Sequence, residues 1–182
     1  MIKHILLFFA LFSLSLSINA QEWNQKTKDT KVIFSTKKFQ VKVKGTFSDV
    51  KVNTNFNAND LAKSYVNVKI CLKSISTGKR VIDKKILSKK FFYEQKHKFI
   101  ELTSSKIEKN ENGDIFLFAD ITIKGITKKI QIPLEVFENE KSIRIKSSFK
   151  ITRKDFKIGE GSLGMSKSAK IIVEFTGTNL QT

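Results

Sequence analysis

The sequence predicts an all-β fold: one domain of about eight antiparallel strands, closed into a barrel or stacked as a sandwich, with one or two short helices. Apolar and polar residues alternate with a period of two over most of the chain, the pattern of strands with one dry and one wet face. Turn-forming clusters separate these runs, as in Lys109-Asn110-Glu111-Asn112-Gly113-Asp114 and Glu138-Asn139-Glu140. No internal repeat or long low-complexity linker interrupts them, so a single domain is expected.

Residues 1–20, MIKHILLFFALFSLSLSINA, have a basic start at Lys3, an apolar run from Ile5 to Leu16 and a small residue, Ala20, at a plausible cleavage point. They are predicted to be a cleavable signal peptide, followed by a β-domain over residues 21–182. The run is too short and too broken by serine to be a membrane span, and Gln21 rather than cysteine follows it. An exported protein, periplasmic or secreted, is therefore expected.

The alternating runs are taken in order as strands over 37–48, 50–57, 65–75, 97–105, 114–124, 127–138, 141–152 and 168–177. In the first, Phe39, Val41, Val43, Gly45 and Phe47 share one face, with Gln40, Lys42, Lys44 and Thr46 opposite. In the third, Val66, Val68, Ile70 and Leu72 oppose Asn67, Lys69, Cys71 and Lys73. Ile143, Ile145, Ser147, Phe149 and Ile151 form the dry face of the seventh. Residues 59–63 suit a helical turn, and 83–92 a short helix with Ser88 as a candidate cap. Pro133 removes a ladder donor inside its strand, which predicts an edge or bulge there. Ile115, Leu117, Ala119, Ile121 and Ile123 form one stripe of the fifth run, while Phe116 and Phe118 begin the other. Two adjacent outer phenylalanines call for a cover, either a helix or a second copy of the chain, which makes a homodimer an expectation.

Several function classes are disfavoured. Gly159, Gly161 and Gly164 spell G-x-G-x-x-G, but MSKSAKIIVEFTG follows them with strand spacing, where a dinucleotide site needs a helix. The glycines suit a loop between two strands. The formal charge is +17, yet Arg80, Arg144 and Arg153 are the only arginines among 34 basic residues. Lysine provides solvated point charge, whereas base and phosphate recognition favours the arginine fork. Nucleic acid is not an expected partner; an anionic membrane surface is. His97 lies in the lysine-rich stretch QKHKF, and Cys71 is the single cysteine, so no usual zinc site or nucleophile–base pair is legible and no enzyme activity is expected. Thirteen of the sixteen phenylalanines lie beyond residue 20, beside only Trp23, Tyr65 and Tyr93. That aromatic weight, with few polar handles, suits a greasy cavity.

Particular stretches carry a family resemblance: GTFSDV at 45–50, SISTGKRVID at 74–83, SKKFF at 88–92, ADITIKGITKKIQIPLEV at 119–136 and FKITRKDFKIG at 149–159. In this order and spacing the chain resembles the YceI-like family of exported bacterial proteins. The resemblance implies a lipocalin-like barrel that holds a polyisoprenoid, such as a quinone tail, with no other cofactor. It departs from the family where Ile82 precedes Asp83 and Lys85 stands in place of a histidine. The expected role is an exported lipid-binding protein for carriage or storage; the alternative is a ligand-free barrel acting as a stress-related or protein-interaction module.

Strand alternation assigns Phe39, Val41, Val43, Phe47, Ile70, Leu72, Ile145 and Phe149 to the lining of such a cavity, with Phe91 and Phe92 near a mouth. Asp83 and Arg153 are the matched polar residues that could contact a ligand. For both, a structural role, as a cap and as a strand brace, is the stronger reading.

Overall fold

The computed structural model describes residues 23–179; the expected leader, residues 1–20, lies outside them. The chain forms strands β1 (Trp23–Gln25), β2 (Lys31–Lys38), β3 (Val41–Phe47), β4 (Val50–Thr54), β5 (Val66–Cys71) and β6 (Ile75–Ser76). A helix, α1 (Arg80–Leu87), precedes β7 (Phe99–Lys109), β8 (Ile115–Ile123), β9 (Ile126–Glu138), β10 (Ser142–Thr152) and β11 (Ser168–Asn179). Neighbours run antiparallel in the order β4-β5-β7-β8-β9-β10-β11-β2-β3-β6, with β1 also beside β11. Because β3 and β4 lie near opposite ends of this path yet are joined by only Ser48 and Asp49, the sheet must curl back on itself. It is a barrel, not a sandwich.

The expected eight strands become eleven segments. β1 and β2 run along successive stretches of β11, Gly177–Asn179 and Lys170–Glu174, and act as one interrupted wall. The run at 37–48 is a hairpin instead of one strand: β2 ends at Lys38, and Phe39 and Gln40 turn the chain with φ of 46° and 66°. Such a turn ordinarily takes Asn-Gly. Here the strain is offset because the Phe39 N–H donates to the Gly164 carbonyl at 2.7 Å while the Phe39 ring packs over Gly164, itself at φ +68° and without space for a Cβ. The glycine-rich stretch is thus a loop between β10 and β11, and Gly159 and Gly161 also take positive φ.

The short helix begins earlier than 83, and Ser88 closes it where an opening cap was expected: its hydroxyl donates to the Lys85 carbonyl at 2.7 Å. Residues 59–63 form turns, not a helix, with the Ser64 N–H on the Leu61 carbonyl. Pro133 sits where the ladder between β9 and β10 has already stopped, at Glu135 paired with Lys146. Its carbonyl accepts from the Ser147 hydroxyl instead, at 2.7 Å, so the missing N–H costs the sheet nothing there. No helix covers Phe116 and Phe118; both are half-buried, and the Lys106 ammonium lies 4.3 Å from the centre of the Phe118 ring. Lys69 covers Phe99 in the same way at 4.2 Å. Cross-strand lysines, with their aliphatic stems and cation–π attraction, shield outer rings that alternation alone leaves bare.

Two apolar clusters lie toward the two ends of the barrel. One joins Leu72, Ile75, Phe91, Phe156 and Ile158 beneath α1. The other centres on Trp23, Phe56, Ile143 and Phe175, where the Trp23 indole N–H donates to the Phe56 carbonyl at 2.7 Å. Beside it, the Gln25 side chain closes the seam between β1 and β4: its Nε2 donates to the Val50 carbonyl and its Oε1 accepts from the Val52 N–H, at 2.7 and 2.8 Å. One primary amide thereby stands in for a strand at an otherwise open edge. Gln25→Leu should cost about 1–3 kcal/mol, the penalty for two orphaned backbone groups. It should also speed hydrogen exchange at the Val52 amide; an unchanged urea midpoint and exchange rate would show that the seam does not depend on Gln25.

Candidate functional site

Between the two end clusters lies a cavity of about 440 Å³, within the range of small-ligand sites. The inward faces of the strands build its wall, through Val32 and Phe34 of β2, Val52 of β4, Val68 of β5, Leu102 of β7 and Val173 of β11. These strand positions follow the period of two, so every second residue is presented inward. Four of the five Ser and Thr hydroxyls in the wall are turned away from ligand chemistry. Thr30, Thr36, Thr54 and Ser147 each donate to a main-chain carbonyl, of Lys26, Ser168, Tyr65 and Pro133 respectively. What they leave facing the interior is carbon, so the cavity can hold an apolar chain but offers little to a sugar or nucleotide.

Seven of the expected lining residues lie on this wall: Val43, Phe47, Ile70, Ile145 and Phe149 from strands, and Phe91 and Phe92 from the segment after α1. Three do not. Phe39 and Val41 are 66% and 67% exposed. The hairpin turn at Phe39 ends the strand there, and Val41, though on the face of Val43, stands beyond the rim. Leu72 is fully buried in the end cluster, because a 3-10 turn over Leu72–Ser74 directs it away from the strand face.

Alternation also missed wall residues. Val32, Phe34 and Thr36 belong to a strand that was not expected, although their own spacing marks it. Ile82 and Ile86 reach the cavity from α1 as an i, i+4 pair on one helical face.

The polar candidates separate. Asp83 is outside the wall; its Oδ1 accepts from the Thr77 N–H at 2.8 Å and the Thr77 hydroxyl at 2.6 Å, which ties the loop before α1. Arg153 braces a loop and also lies on the wall. It is buried and lines the cavity. Its Nε donates to the Ser166 carbonyl at 2.7 Å, and one Nη donates to those of Ile158 and Gly159 at 2.9 and 3.1 Å. The other Nη has only the Met165 carbonyl, at 3.4 Å. The guanidinium is solvated by carbonyls of the loop after β10, so a positive charge sits in a largely apolar wall, in no ion pair among the described residues.

The mouth lies at the α1 end, where Lys38, Lys85, Ser162 and Met165 border the cavity. The turn between β8 and β9 joins this end, since Lys124 donates to the Lys157 carbonyl at 2.8 Å. Burial first, then the neighbouring Lys96 and Lys124, hold the His97 imidazole below its ordinary pKa, and its ring packs against Gly125. Among the described residues no group of three His, Cys, Asp or Glu side chains could hold a metal ion.

Fold and cavity together define a class: a hollow antiparallel β-barrel with a dry interior and one helix-lined mouth. The chain belongs to the YceI-like domain family, whose model matches residues 23–178. It is 27% identical over 139 residues to a UPF0312 protein of Photorhabdus laumondii, covering 73% of this chain and 72% of that one. A UPF0312 protein of Vibrio vulnificus is 30% identical over 93 residues, 51% of this chain and 49% of the relative. Among solved structures, BcnA of Burkholderia cenocepacia superposes with a TM-score of 0.79 at 18% identity, over 84% of this chain and 99% of that one. A polyisoprenoid binding domain from Saccharophagus degradans, implicated in plant cell wall breakdown, gives 0.68 at 13% identity, over 88% and 98%. At these identities the structural likeness speaks to the fold.

Proposed function

We propose that this chain is an exported protein that holds a long apolar lipid of the isoprenoid or quinone type inside its barrel, for carriage or storage, without catalysis. The observation that carries the reading is the cavity wall, which is apolar apart from Arg153 and the residues at the mouth, with the hydroxyls of Thr30, Thr36, Thr54 and Ser147 internally bonded. The likeness in fold to a polyisoprenoid binding domain supports it. Export rests on the leader-like residues 1–20.

The mechanism is partition. An apolar chain leaves a membrane, enters the mouth beneath α1 and replaces interior void, at about 0.8 kcal/mol for each buried methylene. Dispersion contacts with the wall add to this, because an empty apolar cavity forfeits them. Arg153, with one Nη held only by the 3.4 Å contact to Met165, is a buried group on the wall able to donate to a carbonyl or phosphate at the head of such a lipid. Asp83, committed to Thr77, has no part in it.

Organic extraction of the purified protein followed by mass spectrometry tests the proposal. A prenyl or similarly long apolar species, in near-stoichiometric amount, is the expected result. Protein that yields none, and takes none from vesicles loaded with a polyprenyl lipid, is a ligand-free barrel and overturns the carrier reading.

A further inference from the structure

We infer that the mouth end of the barrel is a docking surface for an anionic lipid bilayer. Two of the three residues misplaced by alternation point to it. Phe39 and Val41, on the β2–β3 hairpin, stand beside Leu163, which is 82% exposed; the Phe39–Gly164 hydrogen bond fixes that neighbourhood. Val81, 81% exposed, projects from α1, the helix whose Ile82 and Ile86 line the cavity. A monomer rarely leaves several large apolar side chains bare around one opening unless something covers them.

The charge around them selects the partner. Between Lys79 and Lys90 the chain carries six basic residues against one acid, and that acid, Asp83, is engaged by Thr77. Lys37, Lys38 and Lys42 flank the exposed hairpin. Among the described residues none of Lys37, Lys38, Lys42, Lys79, Lys84 and Lys85 is in an ion pair. The opposite end carries both signs: Glu108, Glu111 and Asp114 at the β7–β8 turn stand with Lys106 and Lys109, and Glu135 and Glu140 at the β9–β10 turn with Lys141. Lysines of the hairpin and of α1, distant in sequence, are brought by the fold to one opening. Their field turns the mouth toward a negative surface, and the apolar tips then enter the headgroup layer. An acidic protein partner would match the lysines but gives no reason for bare Phe39, Val41, Val81 and Leu163 around a lipid-sized mouth.

This deepens the carrier reading, because cargo must cross at the mouth, but docking can be measured without cargo. The full chain, recovered after processing by the host, is co-sedimented at low salt with phosphatidylcholine vesicles containing or lacking phosphatidylglycerol and free of isoprenoids. The wild type should bind the anionic vesicles. K37E/K42E/K84E should weaken that binding at least about tenfold, given roughly one kcal/mol per lysine at such a surface. K63E/K109E/K141E makes the same change in net charge at the far end and should stay within about twofold of wild type. V41S/L163S should remove the fraction of binding that survives added salt. Wild type that ignores anionic vesicles, or two charge-reversal triples that weaken binding equally, overturns the docking surface. Lipid recovered by extraction from a protein that does not dock leaves the carrier reading standing, and docking by a protein that yields no lipid removes only the carrier reading.

Discussion

Arg153→Met should lower stability by about 3–5 kcal/mol, as expected when a buried charge network loses its central member. The apolar stem is retained by methionine, so the loss isolates the guanidinium. Three carbonyls, of Ile158, Gly159 and Ser166, lose a charged donor at once. They belong to the loop that borders the mouth, and Ile158 is part of the end cluster. Arg153→Lys should recover little, because a single ammonium cannot span carbonyls that the planar fork reaches together. Urea unfolding gives the magnitude, and hydrogen exchange across residues 158–166 gives the place. A midpoint within error of wild type would show that those carbonyls find other partners, and the brace would then be incidental.

The second large effect is on occupancy. Phe149→Trp combined with Val173→Phe should empty the cavity of lipid while keeping the barrel. Both residues lie on the wall, on neighbouring strands that pair Phe149 with Ile171 and Ser147 with Val173. Added ring volume occupies the space an apolar chain needs, whereas the polarity of the interior is unchanged. Overpacking should cost about 1–3 kcal/mol in stability, less than what unfolds a barrel of this size. Phe137→Ala serves as the control, since Phe137 is 58% exposed on the outer wall. Lipid recovered from the double variant should fall to background, and that from the control should match wild type. Full occupancy in a folded double variant would place the lipid somewhere other than this cavity.

The five strand residues that reach the wall were legible because alternation is a local property. A strand has two faces, and one mutual assignment of Ile145 with Phe149, or of Val43 with Phe47, sends both inward. The same rule failed for Phe39 and Val41, since a face says nothing about height along the barrel axis. Where a strand ends depends on its partner, and here the partner is the loop carrying Gly164, far away in sequence. β2 escaped notice because the usual turn residues are missing from Phe39-Gln40, so its last two residues were joined to β3 and Lys31–Thr36 was assigned to no strand. Ser88 was legible as a helix boundary residue but not as to which end, because its hydroxyl can bond the preceding turn as well as the following one.

Sequence by itself determined the all-β class, the separation of dry from wet faces, the loop role of the three glycines and the membership suggested by GTF, SISTG and RKDF. These follow from short-range sterics and side-chain polarity, which act within a few residues. Tertiary structure decided where the barrel closes, through Gln25 on β4, and how Arg153 is buried, through carbonyls from a loop that exists only once β10 and β11 are paired. It also decided which lysines share an end of the molecule. Those outcomes depend on contacts between residues distant in the chain, whose free energies are set when the sheet curls shut.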